Sequence, residues 1–111
     1  MLVSRSSPFG GRTRTLVLLA LGLLEESFPT ELARLLNMRL YGVQQALRSL
    51  ETDGLVAGRL AGRTRLYRLN PRYFARDELK AYLSRLAEPE TELASAIAAL
   101  RRRPRRAGKP L

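Results

Sequence analysis

The longest apolar stretch of the chain is LVLLALGLL at residues 16–24, and it predicts a first helix over about 12–26. This helix is apolar on nearly every side, which is typical of a helix in the core or between subunits. The stretch is too short to span a membrane as a helix, which needs about 20 residues. No small-residue cleavage pattern follows it, so we expect a cytoplasmic protein without a signal peptide.

Two shorter amphipathic segments follow, separated by only a few residues. PTELARLL begins with Pro29, which suits a first helical turn, and Asn37 can end this second helix in the left-handed conformation. A third helix, about 40–53, is predicted from apolar positions at i, i+3, i+4 and i+7, which are Val43, Ala46, Leu47 and Leu50. Its outward positions are then Tyr41, Gly42, Gln44, Gln45 and Arg48.

A hairpin and two further helices complete the pattern. Residues 55–60 and 64–69 are short strand-like segments around a turn that contains Gly62, which predicts a β-hairpin. Asn70 and Pro71 suit the cap and the first turn of a fourth helix. The last two helices are expected at about 72–87 and 89–103.

The resulting fold class is mainly α with a small β-hairpin, in the order α-α-α-β-β-α-α. At 111 residues the chain has room for one compact domain. The expected organisation is a flexible basic arm at 1–11, the domain at 12–88, a C-terminal helix for dimerisation at 89–103 and a disordered basic tail at 104–111.

Positive charge is concentrated at the two ends of the chain. There are 20 Lys and Arg against 10 Asp and Glu, which gives a formal net charge of +10. Residues 1–15 and 101–111 contain no acid, whereas residues 16–100 are close to neutral. Such tails favour a polyanion, most often nucleic acid. A basic surface within the domain requires local clustering, as in RLAGRTRLYRL at 59–69.

The chain contains no cysteine and no histidine. This composition excludes disulfides, thiolate or imidazole metal sites, and catalysis by Cys or His. The acidic residues are better interpreted as helix-start and surface charges than as ligands of a hard cation. No Walker loop, no nucleophile with a base and no carboxylate pair is recognisable. We therefore expect neither an enzyme nor a bound metal or cofactor.

The second and third helices have the arrangement of a helix-turn-helix, with a basic hairpin directly behind them. ELARLLNMRLYGVQQALRSLETDGLV, residues 31–56, resembles the winged helix-turn-helix of ArsR-like and MarR-like bacterial regulators. The resemblance covers about residues 12–88 and includes GRTRLYRLN at 62–70. It rests on Glu31-Leu32-Ala33, Met38, Val43 with Leu47, and the run from Leu50 to Val56. It implies a sequence-specific transcriptional regulator that binds double-stranded DNA, most simply a dimeric repressor.

The resemblance also implies that the third helix reads the major groove and that the hairpin is a wing against the backbone or minor groove. Glutamine can bond adenine bidentately, arginine can read guanine, and tyrosine or arginine can hold phosphates. Arg63 at the hairpin tip suits the minor groove. Strand side chains alternate faces, so either Arg65 or Arg68 is expected to be structural. The candidate DNA-binding residues are Arg39, Tyr41, Gln44, Gln45, Arg48, Arg59, Arg63 and Arg65.

Three features depart from the family pattern. Arg39 and Leu40 stand where a Ser or Thr cap is usual, which leaves the start of the third helix open. Gly42 weakens its first turn by up to about 1 kcal/mol relative to alanine. The metal sensing through Cys and His that the better-known family members use is not available to this chain.

The apolar first helix and the C-terminal helices offer more apolar surface than a single domain needs. This surplus predicts a two-fold homodimer through residues 12–26 and 90–100, with recognition helices about 34 Å apart. The alternative is that these faces only close the core of one chain. The candidate interface residues are Leu16, Leu19, Leu23, Leu93, Ile97 and Leu100.

Two other functions fit the same pattern. A protein-interaction or antitoxin-like module would use Leu40 and Tyr41 to bind a protein. An architectural protein would coat DNA through its basic ends without sequence choice, so deletion of 1–11 and 101–111 would abolish its binding. Salt separates the first alternative from DNA binding, because log K for DNA falls by about 0.9 per log unit of salt for each phosphate neutralised.

Overall fold

The computed structural model describes residues 7–102 of the chain, and these residues form five helices and one antiparallel hairpin. The element order confirms the expected mainly helical fold with a small hairpin. The predicted tail at 104–111 and the first six residues of the predicted arm lie outside the described residues. The elements are α1 Arg12–Leu24, α2 Pro29–Leu36, α3 Leu40–Thr52, β1 Val56–Ala61, β2 Thr64–Leu69, α4 Arg76–Ala87 and α5 Thr91–Arg102.

α1 is the central helix of the domain. Every residue from Thr15 to Leu21 is buried, so the helix is covered on all sides, as its apolar sequence predicts. α2, α3, α4, α5 and β2 all pack against it. The helix ends at Leu24, two residues earlier than predicted, because Glu25 takes a positive φ of 76° while its N–H still bonds to the Leu21 carbonyl.

Four of the six candidate interface residues are buried within this single chain. Leu16, Leu19 and Leu93 are at most 2% exposed and Ile97 is 6% exposed. The physical reason is that α5 packs on α1 and α2 of the same chain, which covers the apolar faces of both ends. These four side chains therefore offer a partner chain little surface, whereas Leu23 and Leu100 are half-buried.

The turn between α2 and α3 is short and well defined. Asn37 adopts the left-handed conformation, with φ 54° and ψ 51°, and its N–H bonds to the carbonyls of Ala33 and Arg34. α3 begins at Leu40, where the sequence placed it, and Arg39 precedes it in an extended conformation without a side-chain cap. The missing Ser or Thr thus leaves the helix uncapped but does not shift its start.

β1 and β2 pair from Val56 opposite Leu69 to Ala61 opposite Thr64. The turn contains two residues, Gly62 and Arg63, and Gly62 takes the positive φ of 65° that suits glycine. β1 thus begins and ends one residue later than predicted.

The structure also differs from the prediction at the start of α4. α4 begins at Arg76 rather than at 72, because the Asn70 side chain accepts a hydrogen bond from the Arg72 N–H at 3.0 Å and forms a turn. Residues 7–10, the described part of the predicted arm before α1, form a turn in which Ser7 and Gly10 exchange two backbone hydrogen bonds of 3.0 Å. Phe9 in this turn packs edge-on against Tyr82 of α4, with ring centroids 5.6 Å apart.

Candidate nucleic-acid interface

The outward face of α3 carries a connected row of polar side chains. The Gln45 Nε2 donates to the Tyr41 hydroxyl at 2.7 Å. Arg48 donates from both Nε and Nη2 to the Gln45 Oε1, at 3.3 and 3.0 Å. All three side chains are exposed, Tyr41 by 67%, and Gln44 beside them is half-buried. The row lies along one side of the helix because its members are spaced by four and three residues.

The opposite face of α3 fixes how this row is presented. Val43, Leu47 and Leu50 are fully buried and Ala46 is 6% exposed, which confirms the predicted buried stripe. α3 packs against α1, α2 and β1 through this face. The polar row therefore points away from the core.

Arg14 of α1 holds the C-terminal end of α3. Its Nη2 lies 2.8 Å from the Asp53 Oδ2, its Nη1 donates to the Ser49 hydroxyl, and its Nε donates to the Phe9 carbonyl. The Arg14 side chain is only 22% exposed. No local pattern in the sequence indicates this contact, because Ser49 and Asp53 are 35 and 39 residues away.

The base of the hairpin is attached to the loop between α1 and α2. Ser27 and Tyr67 exchange two backbone hydrogen bonds, of 3.0 and 2.8 Å. Arg59 donates through Nε and Nη2 to the two carboxylate oxygens of Glu26, both at 3.2 Å. Arg59, a candidate DNA contact, therefore also has an intramolecular partner that fixes β1.

Arg65 connects the hairpin to α3. Its Nη2 lies 3.0 Å from the Glu51 Oε2, and its guanidinium carbon lies 5.6 Å from the centre of the Tyr67 ring. Tyr67 and then Glu51 raise the pKa of Arg65 above its ordinary value. Gly58 makes room for it, since a Cβ there would lie 2.9 Å from the Arg65 Nε.

Arg39 and Arg63 differ from the other candidate arginines. Both are exposed, and neither makes a side-chain hydrogen bond or ion pair with any other residue between 7 and 102. Arg63 occupies the hairpin tip, where the sequence placed it. Arg68 on β2 is likewise exposed and has no such partner in the described part of the chain. Between Arg65 and Arg68, it is Arg65 that the structure engages internally.

Two apolar side chains stand out beside these polar groups. Leu40 at the start of α3 is 42% exposed, and Leu60 on β1 is 67% exposed. The sequence alone does not indicate a role for Leu60, since an isolated exposed leucine has no distinctive pattern. Its position opposite Arg65 becomes apparent only from the strand register.

No family model and no curated protein matches this sequence. Solved structures do match. The adhesin competence repressor AdcR of Streptococcus pyogenes aligns with a TM-score of 0.58 at 18% identity, over 77% of this chain and 63% of AdcR. The chain therefore spans less than two thirds of the AdcR length. The fold is a winged helix-turn-helix.

Two further structures share the winged helix-turn-helix. A point mutant of Lactococcus lactis ZitR has a TM-score of 0.59 at 19% identity, over 93% of this chain and 70% of ZitR. A mutant of Escherichia coli MarR, complexed with operator DNA, has a TM-score of 0.57 at 20% identity, over 82% of this chain and 70% of MarR. In this fold α2 and α3 are the helix-turn-helix pair, and β1 and β2 are the wing.

Across residues 7–102 no helix has the length and apolar character needed to cross a membrane. Over the same range, no three acidic, Cys or His side chains come together in a way that could hold a metal ion.

Proposed function

We propose that this chain is a sequence-specific regulator of transcription that binds double-stranded DNA, most simply as a dimeric repressor. The observation that carries the proposal is the exposed polar row on α3, on a helix whose other face is locked in the core. Its side chains can make the hydrogen bonds by which proteins recognise bases and phosphates in the major groove.

The structural neighbours support this proposal. MarR of Escherichia coli and a ZitR mutant of Lactococcus lactis have been solved with DNA, and AdcR is described as a repressor. The similarity to MarR supports the MarR-like interpretation of the sequence and gives no specific support to the ArsR-like one. A regulatory role also requires no catalytic group, in keeping with a non-enzymatic protein.

The candidate residues divide into two groups in this proposal. Tyr41, Gln44, Gln45 and Arg48 of α3 face the DNA bases and the adjoining phosphates. Arg63 at the wing tip enters the minor groove or lies along the backbone, and Arg39 meets a phosphate at the start of α3. A second group, Arg59 and Arg65, acts through intramolecular ion pairs and holds the wing in place, as their contacts with Glu26 and Glu51 suggest.

The proposal includes a homodimer that places two α3 helices on successive turns of DNA, about 34 Å apart. Leu23 and Leu100 are the two candidate interface residues that remain partly exposed and so support this part of the proposal. The mass of one chain is 12.5 kDa, and light scattering of the purified full-length chain at micromolar concentration should give twice this mass. A monomer mass would contradict the dimer.

The test of function is binding of the full-length chain to its own upstream DNA and to a scrambled fragment, across a salt series. We expect tight binding to the native fragment, which a Gln44→Ala/Gln45→Ala variant loses. Arg85→Ala is a matched control for a surface change, because Arg85 lies on α4 and its side chain is 83% exposed. Equal, salt-sensitive binding to both fragments would instead indicate an architectural protein that acts through its basic ends.

A protein-interaction module is the second candidate, and the exposure of Leu40 and Tyr41 favours it. Apolar contact with a protein partner would respond little to salt, whereas DNA binding should weaken steeply as salt rises. Failure to bind either DNA fragment at low salt would therefore favour this second function.

A further inference from the structure

The hydrogen bonds on α3 determine which of its side chains still has two hydrogen-bonding groups available for a bidentate contact with a DNA base. Gln45 has one acceptor oxygen and two N–H donors. The oxygen receives both Nε and Nη2 of Arg48, and one N–H is given to Tyr41. Bidentate reading of adenine needs the oxygen and an N–H together, so Gln45 in this arrangement is not an adenine reader.

Arg48 keeps the pair of groups that guanine requires. Its contact with Gln45 uses the side of the guanidinium that carries Nε and one Nη2 hydrogen. Both Nη1 hydrogens and the second Nη2 hydrogen remain, and one of the Nη1 hydrogens forms the end-on fork of the group together with that Nη2 hydrogen. This fork matches the O6 and N7 acceptors of guanine in the major groove.

The direction of α3 brings the Arg48 fork toward the N-terminal part of the helix. Side chains of an α-helix lean toward its N-terminus, so the Arg48 guanidinium lies over the preceding turn, against Gln45. The N-terminal part of a recognition helix is the part that contacts base edges. Gln45 is held in turn by Tyr41, one turn earlier.

We propose that Arg48 reads a guanine in the major groove and that Gln45 and Tyr41 are positioning residues that hold its guanidinium for this contact. The inference rests on the proposed DNA-binding function. Gln44 makes no side-chain hydrogen bond with another residue of the described range 7–102. The ability to bond adenine therefore stays with Gln44 rather than Gln45.

The experiment selects preferred sites for the full-length chain from a randomised double-stranded DNA library. The wild type should select a site with a guanine that Arg48→Ala no longer prefers, with the preference reduced about 5- to 150-fold. Arg48→Lys keeps the charge but lacks the fork, and should reduce the same preference. Gln44→Ala is the matched control and should relax a different position while leaving the guanine unchanged.

Gln45 variants separate positioning from direct reading. Gln45→Ala should weaken the same guanine preference, whereas Gln45→Glu still accepts from Arg48 and should retain it. If Gln45 read a base itself, Gln45→Glu would shift that position toward cytosine, because a carboxylate accepts from the cytosine amine. Replacement of the selected guanine by 7-deazaguanine should weaken binding of the wild type but not of Arg48→Ala.

The outcomes also separate this inference from the proposed function. A wild-type consensus whose guanines are unaffected by Arg48→Ala and Arg48→Lys would overturn the inference alone. A shift to cytosine with Gln45→Glu would do the same. A library that yields no consensus at all would overturn both the inference and the sequence-specific function.

Discussion

Replacement of Arg14 by alanine should lower both the stability of the domain and the precision with which α3 is held. The side chain is largely buried and makes an ion pair with Asp53 and hydrogen bonds with Ser49 and with the Phe9 carbonyl. An exposed ion pair contributes about 0.2–1 kcal/mol, and a typical hydrogen bond contributes about 0.5–1.5 kcal/mol. Since Asp53 is half exposed, we expect a total loss of about 2 kcal/mol in the free energy of unfolding.

Urea denaturation of Arg14→Ala, with a thermal melt beside it, measures this loss. For a domain of this size, 1 kcal/mol corresponds to a shift of about 4–8 °C in Tm. Arg85→Ala is the matched control, because its partner Glu88 is exposed, their closest atoms are 3.6 Å apart, and such a pair contributes little. Free energies of unfolding that agree within about 0.5 kcal/mol for Arg14→Ala and Arg85→Ala would show that the contacts of Arg14 do not stabilise the domain.

Particular residues of the wing, the core and α3 allow four more tests. Gly58→Ala should displace the Arg65 guanidinium, and its effect on stability should be non-additive with Arg65→Ala in a double-mutant cycle by urea denaturation. Leu47→Ala, at a fully buried site, should cost about 2–5 kcal/mol of unfolding free energy, and a loss below about 1 kcal/mol would contradict its place in the core. Gly42→Ala should raise stability in thermal melts by up to about 1 kcal/mol, because a Cβ there meets no atom within 4 Å. Arg63→Ala should leave Tm unchanged and reduce the salt slope of DNA binding by about 0.9, and an unchanged slope would remove Arg63 from the interface.

The sequence predicts α3 well because its signal is local and repeated. Val43, Leu47 and Leu50 follow the helical period, and the burial of all three confirms the interpretation. The outward face follows from the same period, so the polar row could be identified in advance. Its internal hydrogen bonds could not, since they depend on which rotamers the side chains adopt together.

The contacts that fix this helix could not be predicted from the sequence. Arg14 reaches Asp53 only because α1 packs beside α3. The residues around Arg14 in the sequence do not indicate a partner that is distant along the chain. Asn70 shows a different difficulty, since the same residue type caps helices and forms turns with its own backbone. In this chain Asn70 forms a turn, and α4 begins at Arg76. The interface predicted for Leu93, which is buried within this chain, rests on apolar periodicity, and this periodicity does not say which chain supplies the covering surface.

The attachment of the wing at three points affects the conformational entropy that the protein would lose on binding a ligand. The hairpin is held by backbone hydrogen bonds between Tyr67 and Ser27, by the ion pair of Arg59 with Glu26, and by the ion pair of Arg65 with Glu51. The wing and α3 are therefore parts of one preformed surface. A preorganised surface loses little conformational entropy on binding, which favours affinity. It also has little freedom to change shape, so that in the proposed complex most of the deformation would fall to the DNA.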